Sequence, residues 1–157
     1  MKVADLMCRP VASTTEETSV ANAARRMEEN DCGVLPVLRN GTIVGIVTDR
    51  DICLSLGRLT RHPKDILVRE IMTRDVGLCR TDDDVHDALA TMARRQVRRL
   101  PVTDAGGRLE GILSADDVVL HAEERDPSRV PALSCRDALE TLRAIYGSRH
   151  VRVATTS

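Results

Sequence analysis

The sequence predicts an α/β (α+β) fold built from two copies of one βαββα unit, with a further helix at the C-terminal end. Three observations predict it. The chain repeats itself: Val3-Ala-Asp-Leu-Met7 returns as Val68-Arg-Glu-Ile-Met72, Leu35-Pro-Val37 as Leu100-Pro-Val102, and Gly45-Ile-Val-Thr-Asp-Arg-Asp-Ile52 as Gly111-Ile-Leu-Ser-Ala-Asp-Asp-Val118. Apolar residues recur at helical spacing once between the strands of each copy. Asn40-Gly41 separates two apolar runs, a strong hairpin signal. The offset between copies is 65 at the opening (68 against 3) and 66 at the glycine (111 against 45). One residue has been added in the turn where Arg39-Asn-Gly41 faces Asp104-Ala-Gly-Gly107. A repeat of this length is a supersecondary block that buries its apolar face against its twin. Chemistry is therefore expected in the cleft between the copies.

In the first copy a short strand is expected near Val11–Thr14. Thr18 or Ser19 then caps a helix with Val20, Ala23, Ala24 and Met27 on one face. Strands follow at Val34–Leu38 and Thr42–Val47, and a helix opens at Thr48 and runs toward Gly57, a stop signal. The second copy repeats this. A strand near Val76–Cys79 precedes a helix with Val85, Ala88, Leu89 and Met92 inward. Strands near Leu100–Thr103 and Arg108–Leu113 lead into a helix from Ser114 to about Glu124. The domain boundaries expected are 1–62, 63–125 and a C-terminal helical extension, 126–157. Asp126-Pro127 and Pro131 mark a break before it. Ser134 to Tyr146 reads as an amphipathic helix with Ala138, Leu139, Leu142, Ile145 and Tyr146 on one side. Its apolar face needs a partner, the module itself or a second subunit. The last residues are expected to fray.

Bulk properties exclude several function classes. With 157 residues, 42% hydrophobic and 30% charged, the chain can bury an ordinary core. A formal net charge of −1 supplies no field toward nucleic acid or an anionic membrane. Tyr146 is the sole aromatic, so no stacking platform for single-stranded nucleic acid exists. No apolar run reaches the length of a membrane span. The repeat starts at Val3, so no signal or transit peptide is expected. Five cysteines (Cys8, Cys32, Cys53, Cys79, Cys135) without Cys-x-x-Cys spacing read as small core residues in a reducing cytoplasm. The four histidines show no metal-site spacing.

The sharpest local feature is a strand that ends in a helix, with a hydroxyl at the junction and a carboxylate three residues on: Thr48-x-x-Asp51 and Ser114-x-x-Asp117. Ser/Thr-x-x-acid is close to a capping box, whose side chains satisfy the first helix amides. The same spacing occurs at Thr81-x-x-Asp84 and Ser134-x-x-Asp137, where no site is suspected. The functional reading rests on context. A helix N-terminus presents free N–H groups and a positive dipole end to phosphate. A carboxylate there can accept ribose hydroxyls. Gly45 and Gly111 lie in strand interiors, where a glycine marks close approach by a ligand or another backbone. No catalytic constellation emerges: Asp49/Asp51 and Asp116/Asp117 stand at helix starts, where acids belong electrostatically, and no phosphate loop is present.

These pieces together resemble a tandem pair of cystathionine-β-synthase-type (CBS) domains, a Bateman module, over about residues 1–124. The Met7 and Met72 openings, Thr18-Ser-Val20, the two Leu-Pro-Val strands and the Gly-Ile-[Val/Leu]-[Thr/Ser]-x-x-Asp endings carry the resemblance. It implies two βαββα units in pseudo-twofold contact, with clefts that in many members bind AMP, ADP, ATP or S-adenosylmethionine. It implies Asp51 and Asp117 as ribose acceptors and Thr48 and Ser114 as phosphate-side residues. It adds Ser13 on the first strand, and Arg98 and Arg99 before Leu100-Pro101, as a phosphate clamp. The alternative for these arginines is a solvated basic edge. Gly33-Val34 replaces the basic pair in the first copy, so the clefts are unequal. The better one is expected to use Ser13, Ser114 and Asp117 with Arg98 or Arg99. The resulting expectation is a stand-alone, cytoplasmic, non-enzymatic regulatory sensor. It homodimerises and signals to an effector protein, without membrane or nucleic-acid partners. The alternative is a ligand-free dimeric interaction scaffold.

Overall fold

A computed structural model describes residues 1–123 and 131–150, with side chains described as far as Gly147. The strands are β1 (Thr14–Thr15), β2 (Val34–Arg39), β3 (Thr42–Thr48), β4 (Cys79–Arg80), β5 (Arg99–Thr103) and β6 (Leu109–Ser114). The helices are α1 (Val20–Glu29), α2 (Asp49–Arg58), α3 (Val68–Ile71), α4 (Val85–Arg95), α5 (Ala115–His121) and α6 (Cys135–His150). Two three-stranded mixed sheets result, ordered β1-β2-β3 and β4-β5-β6. In each, the short first strand runs parallel to the second. The α+β fold and the βαββα order of each copy are as expected.

The compact units do not coincide with the sequence copies. One unit joins Met1–Arg9 to Gly77–Gly106 and to the chain from Glu110 onward; the other holds Pro10–Val76 with Gly107–Leu109. The opening segment of each copy thus packs into the unit built mainly from the other copy. Backbone hydrogen bonds record this twice at a constant offset. Val3 N–H donates to Asp83 O, Ala4 N–H to Thr81 O, and Val85 N–H to Met1 O. Val68 N–H to Thr18 O, Arg69 N–H to Glu16 O and Val20 N–H to Ile66 O are their counterparts 65 residues away. Burial drives the arrangement. Val3, Leu6 and Met7 complete a core with Val85, Leu89, Met92, Leu100 and Leu113. Ile66, Val68 and Met72 complete one with Val20, Met27, Leu35 and Val47. Each fully buried aliphatic side chain contributes about 1.5–3 kcal/mol, so the opening segments are integral to the cores they enter.

Local signals set the element ends. Ser19, not Thr18, caps α1, its hydroxyl accepting from Asn22 N–H at 3.3 Å; Thr18 Oγ1 instead pairs with Thr15 Oγ1. Asp84 caps α4 by accepting from His86 N–H at 2.9 Å. The first helix of each copy stops at a left-handed residue, Asp31 and Gln96, at matching positions. Helix α2 does not stop at Gly57 but runs through it to Arg58, because nothing crowds the glycine and Leu59 N–H still bonds Ser55 O. Helix α5 ends at His121, earlier than expected, and α6 extends past Tyr146 to His150. β1 and β4 begin later than expected, at Thr14 and Cys79. The break expected at Asp126-Pro127 and the fraying expected of the last residues lie outside the described residues.

The apolar face of α6 finds its partner within its own unit, against α4 and α5. Ala138 and Ile145 are buried and Leu142 and Tyr146 partly so, but Leu139 is exposed. The cysteines are not uniformly core residues: Cys79 is buried, whereas Cys8, Cys53 and Cys135 are exposed. Burial pushes the Cys79 thiol up to about 12. No described helix is long and apolar enough to cross a membrane.

Candidate functional site

Each of the two repeated junctions is a strand passing into a helix through its capping residue. Thr48 ends β3 with extended backbone and caps α2; Ser114 ends β6 and caps α5. Asp51 Oδ2 accepts from Thr48 N–H at 2.9 Å and from Thr48 Oγ1 at 2.7 Å, while Thr48 Oγ1 accepts from Asp51 N–H at 3.2 Å. Asp117 Oδ2 takes Ser114 N–H at 2.7 Å and Ser114 Oγ at 2.6 Å, and Ser114 Oγ accepts from Asp117 N–H at 3.1 Å. Ser134 and Asp137 at the start of α6 form the same set at 2.9, 2.6 and 3.2 Å. The capping box is therefore a local device of this chain, and it engages one oxygen of each carboxylate.

The second oxygens differ. Asp51 is partly exposed, and its Oδ1 has no hydrogen-bond partner among the described residues. Asp117 is buried, and its Oδ1 accepts from Cys8 Sγ at 3.2 Å. That hydrogen bond, with some burial, pushes the Cys8 thiol above its usual range. Asp137 is held below the usual carboxylate range, first by the hydrogen bonds from Ser134 and then by the neighbouring His86.

The strand glycines serve the fold. A Cβ on Gly45 would meet Met72 Sδ at 2.7 Å and the Thr73 carbonyl oxygen at 3.0 Å; one on Gly111 would meet Met7 Sδ at 2.6 Å and the Cys8 carbonyl oxygen at 3.0 Å. The close approach that these glycines signal is that of the opening segments. Cys8 and Thr73, each next to an opening methionine, pair with Ile112 and Ile46 across the adjacent strands.

The remaining residues named from sequence fall as follows. Ser13, Thr48 and Asp51 lie in the Pro10–Val76 unit; Arg98, Arg99, Ser114 and Asp117 lie in the other. Ser13 is partly buried, and its hydroxyl makes no hydrogen bond among the described residues. Arg98 is exposed, and its Nη1 donates to the Tyr146 hydroxyl at 3.4 Å. Arg99 is half-buried, with Nη2 at 3.8 Å from Asp116 Oδ2. Neither guanidinium is bonded to Asp117. At the position matching Arg98, Gly33 leaves room that the Asp49 carboxylate fills, 2.8 Å from where a Cβ would stand. Asp49 N–H donates to Gly33 O, as Ala115 N–H does to Arg98 O. One copy thus pairs glycine with aspartate where the other pairs arginine with alanine.

Sequence reasoning missed Glu16. Its buried carboxylate takes Arg39 Nε at 2.6 Å and Nη2 at 2.5 Å, and Arg74 Nη1 at 3.3 Å. The Arg39 hydrogen bond, foremost among these, holds it below the usual range. The matching positions of the second copy are Thr81 and Asp104, so the repeat carried no signal of it. Among the described residues no cluster of three metal-ligating side chains occurs.

Comparison with known proteins places this arrangement. The CBS-domain family profile matches residues 3–58 and 68–124. A CBS domain-containing protein, YhcV, of Bacillus subtilis is 32% identical over 121 residues, which are 76% of this chain and 84% of that protein. Other curated relatives are longer: the chain spans 61% of one of them, and 23% and 24% of two enzymes. Among solved structures, the CBS domain pair of protein MJ0100, in complex with 5′-methylthioadenosine and S-adenosyl-L-methionine, superposes with a TM-score of 0.69 at 26% identity, over 76% of this chain and 94% of that one. The CBS domain protein PAE2072 of Pyrobaculum aerophilum, complexed with AMP, gives 0.66 at 26% identity, over 75% of this chain and 90% of that one. The doubled opening, Leu-Pro-Val strand and capped junction are those of a tandem pair, and the chain belongs to the CBS-domain family.

Proposed function

We propose that this CBS pair is a regulatory sensor of an adenosyl ligand: AMP, ADP, ATP or S-adenosylmethionine. The carrying observation is the carboxylate of Asp51. A carboxylate offers about four lone-pair positions, and the capping box uses two, both on Oδ2. Capping and ribose binding therefore do not compete, and Oδ1 remains to accept the vicinal hydroxyls. Thr48 and Ser114, at helix N-termini, are the phosphate-side residues; Ser13 in the one unit and Arg98 and Arg99 in the other are the further ligand-binding candidates. Asp117, the matching carboxylate of the other junction, already accepts from Cys8 Sγ at its Oδ1. Relatives of like fold complexed with AMP and with S-adenosylmethionine support the ligand class.

In this role the chain acts without catalysis, in the cytoplasm, as a homodimer. Ligand binding favours one conformation, and an effector protein responds to the shift in population. Apolar side chains left exposed on α2 and α5, Leu54, Leu56, Val119 and Leu120, suit such contacts. A second reading, a ligand-free dimeric scaffold, is favoured by the identical box at Ser134–Asp137, which has no repeat context.

Melting temperature with and without each ligand separates them. A ligand at about a hundred times its dissociation constant adds roughly 2.7 kcal/mol, which is several degrees for a chain of this size. Asp51→Asn should reduce the shift. No shift with any of the four ligands overturns the sensor reading in favour of the scaffold.

A further inference from the structure

The two motif carboxylates differ in one contact, and that contact comes from an opening segment. Cys8 is fixed beside β6 by two backbone hydrogen bonds, its N–H to Ile112 O at 2.9 Å and Ile112 N–H to its own O at 3.1 Å. Just before it, Met7 lies so close over Gly111 that not even a Cβ fits between them. The two backbone bonds and this close packing hold the Cys8 backbone against β6. Its sulfur stands 3.2 Å from Asp117 Oδ1, while Oδ2 is filled by the capping box. In the other unit Thr73 makes the same backbone pairing with Ile46, both bonds at 2.9 Å. Thr73 and Cys8 are both exposed, yet Thr73 forms no hydrogen bond to Asp51.

We infer that Cys8 is a specificity-determining residue: its thiol occupies the ribose-facing oxygen of Asp117 and closes that carboxylate, leaving Asp51 to read the adenosyl ligand. The inference rests on the sensor reading above and reverses the preference for Asp117 that the sequence suggested. A thiol is a weak donor, so hydrogen-bond strength is not what closes the oxygen. Placement is: the sulfur fills the approach to a carboxylate that is itself only 9% exposed. The raised thiol pKa agrees, since a neutral S–H is the form that donates.

The test is titration calorimetry with AMP and with S-adenosylmethionine on the wild type, Asp51→Asn, Asp117→Asn and Cys8→Ala, together with pH-dependent alkylation of Cys8 by iodoacetamide followed by peptide mass spectrometry. One ligand per wild-type chain is expected. Asp51→Asn should weaken it at least about tenfold, the loss that goes with a charged acceptor, and Asp117→Asn should leave it nearly unchanged. Cys8→Ala should add a second binding event. Saturating ligand should leave Cys8 alkylation unaltered, and Asp117→Asn should shift its pH profile downward. Binding lost in Asp117→Asn but kept in Asp51→Asn, or ligand protection of Cys8, overturns the role of Cys8 while the sensor reading survives. A single binding event in Cys8→Ala also overturns it. No binding to any variant overturns the sensor reading, and the role of Cys8 falls with it.

Discussion

Replacing Gly45 with alanine tests whether the opening segment of the second copy is locked against β3. The new Cβ would stand 2.7 Å from Met72 Sδ, 3.2 Å from Met72 Cγ and 3.0 Å from the Thr73 carbonyl oxygen. Relaxed non-bonded contacts lie at about 3.5–4.0 Å. The methionine sulfur can swing aside; the carbonyl cannot. Thr73 is tied to Ile46 by two backbone bonds of 2.9 Å, and retreat would lengthen both. Overpacking of this kind costs about 1–3 kcal/mol, against a gain of about 0.4–1 kcal/mol from the stiffer unfolded chain. The net loss is about 1–2 kcal/mol, or roughly 2–8 °C in melting temperature at 2–4 °C per kcal/mol. Gly111→Ala should behave alike, since Met7 Sδ and the Cys8 oxygen stand at 2.6 and 3.0 Å from its Cβ position. Calorimetric melting and urea titration of both variants read the effect. If either variant is as stable as the wild type, the opening segments are not packed as described. The double variant Gly45→Ala/Met72→Ala should lose less than the two single losses combined, because the new methyl no longer meets Met72 Sδ and Cγ and only the Thr73 carbonyl contact remains.

Two further outcomes are expected. Gly57 lies inside α2 with nothing within 4 Å of its Cβ position, so Gly57→Ala should stabilise the protein by about 0.5–1 kcal/mol in urea unfolding; a loss would mean that the helix does not run through that position. Glu70 is held at about 2 by the Arg61 guanidinium and the Leu67 N–H, against an ordinary 4.5. Its contribution is thus complete above pH 4.5 and disappears as the pH falls through about 2. Glu70→Gln should flatten the decline of the urea midpoint across that window, and parallel profiles for the two proteins would contradict the pairing.

Much of the fold was legible because its signals are local. The Asn40-Gly41 turn requires positive φ at both residues, and both have it. Val85, Ala88, Leu89 and Met92 follow helical spacing and are all buried in α4. The hydroxyl–carboxylate pairs join residues three apart and form wherever the motif opens a helix. The candidate site was legible only in part. Asp51 and Asp117 look equivalent in the motif, yet one carboxylate keeps an oxygen open and the other does not. The sequence leaves Arg98 as a clamp or a solvated edge, and the described hydrogen-bond partner of its guanidinium, Tyr146, comes from the extension outside the repeat.

By itself the sequence determined the order of strands and helices and the capped junctions, which depend on residues within a turn or two of each other, and the repeat and the family, which show when such local patterns recur 65 residues on. Tertiary packing decided the rest. Met1–Arg9 and Ile66–Met72 enter the unit built mainly from the opposite copy because each core lacks apolar surface that only those segments supply. Glu16 meets Arg39 and Arg74 from 23 and 58 residues away, and Cys8 reaches Asp117 across 109. Contacts of that separation follow from which surfaces bury together, and no spacing along the chain encodes them.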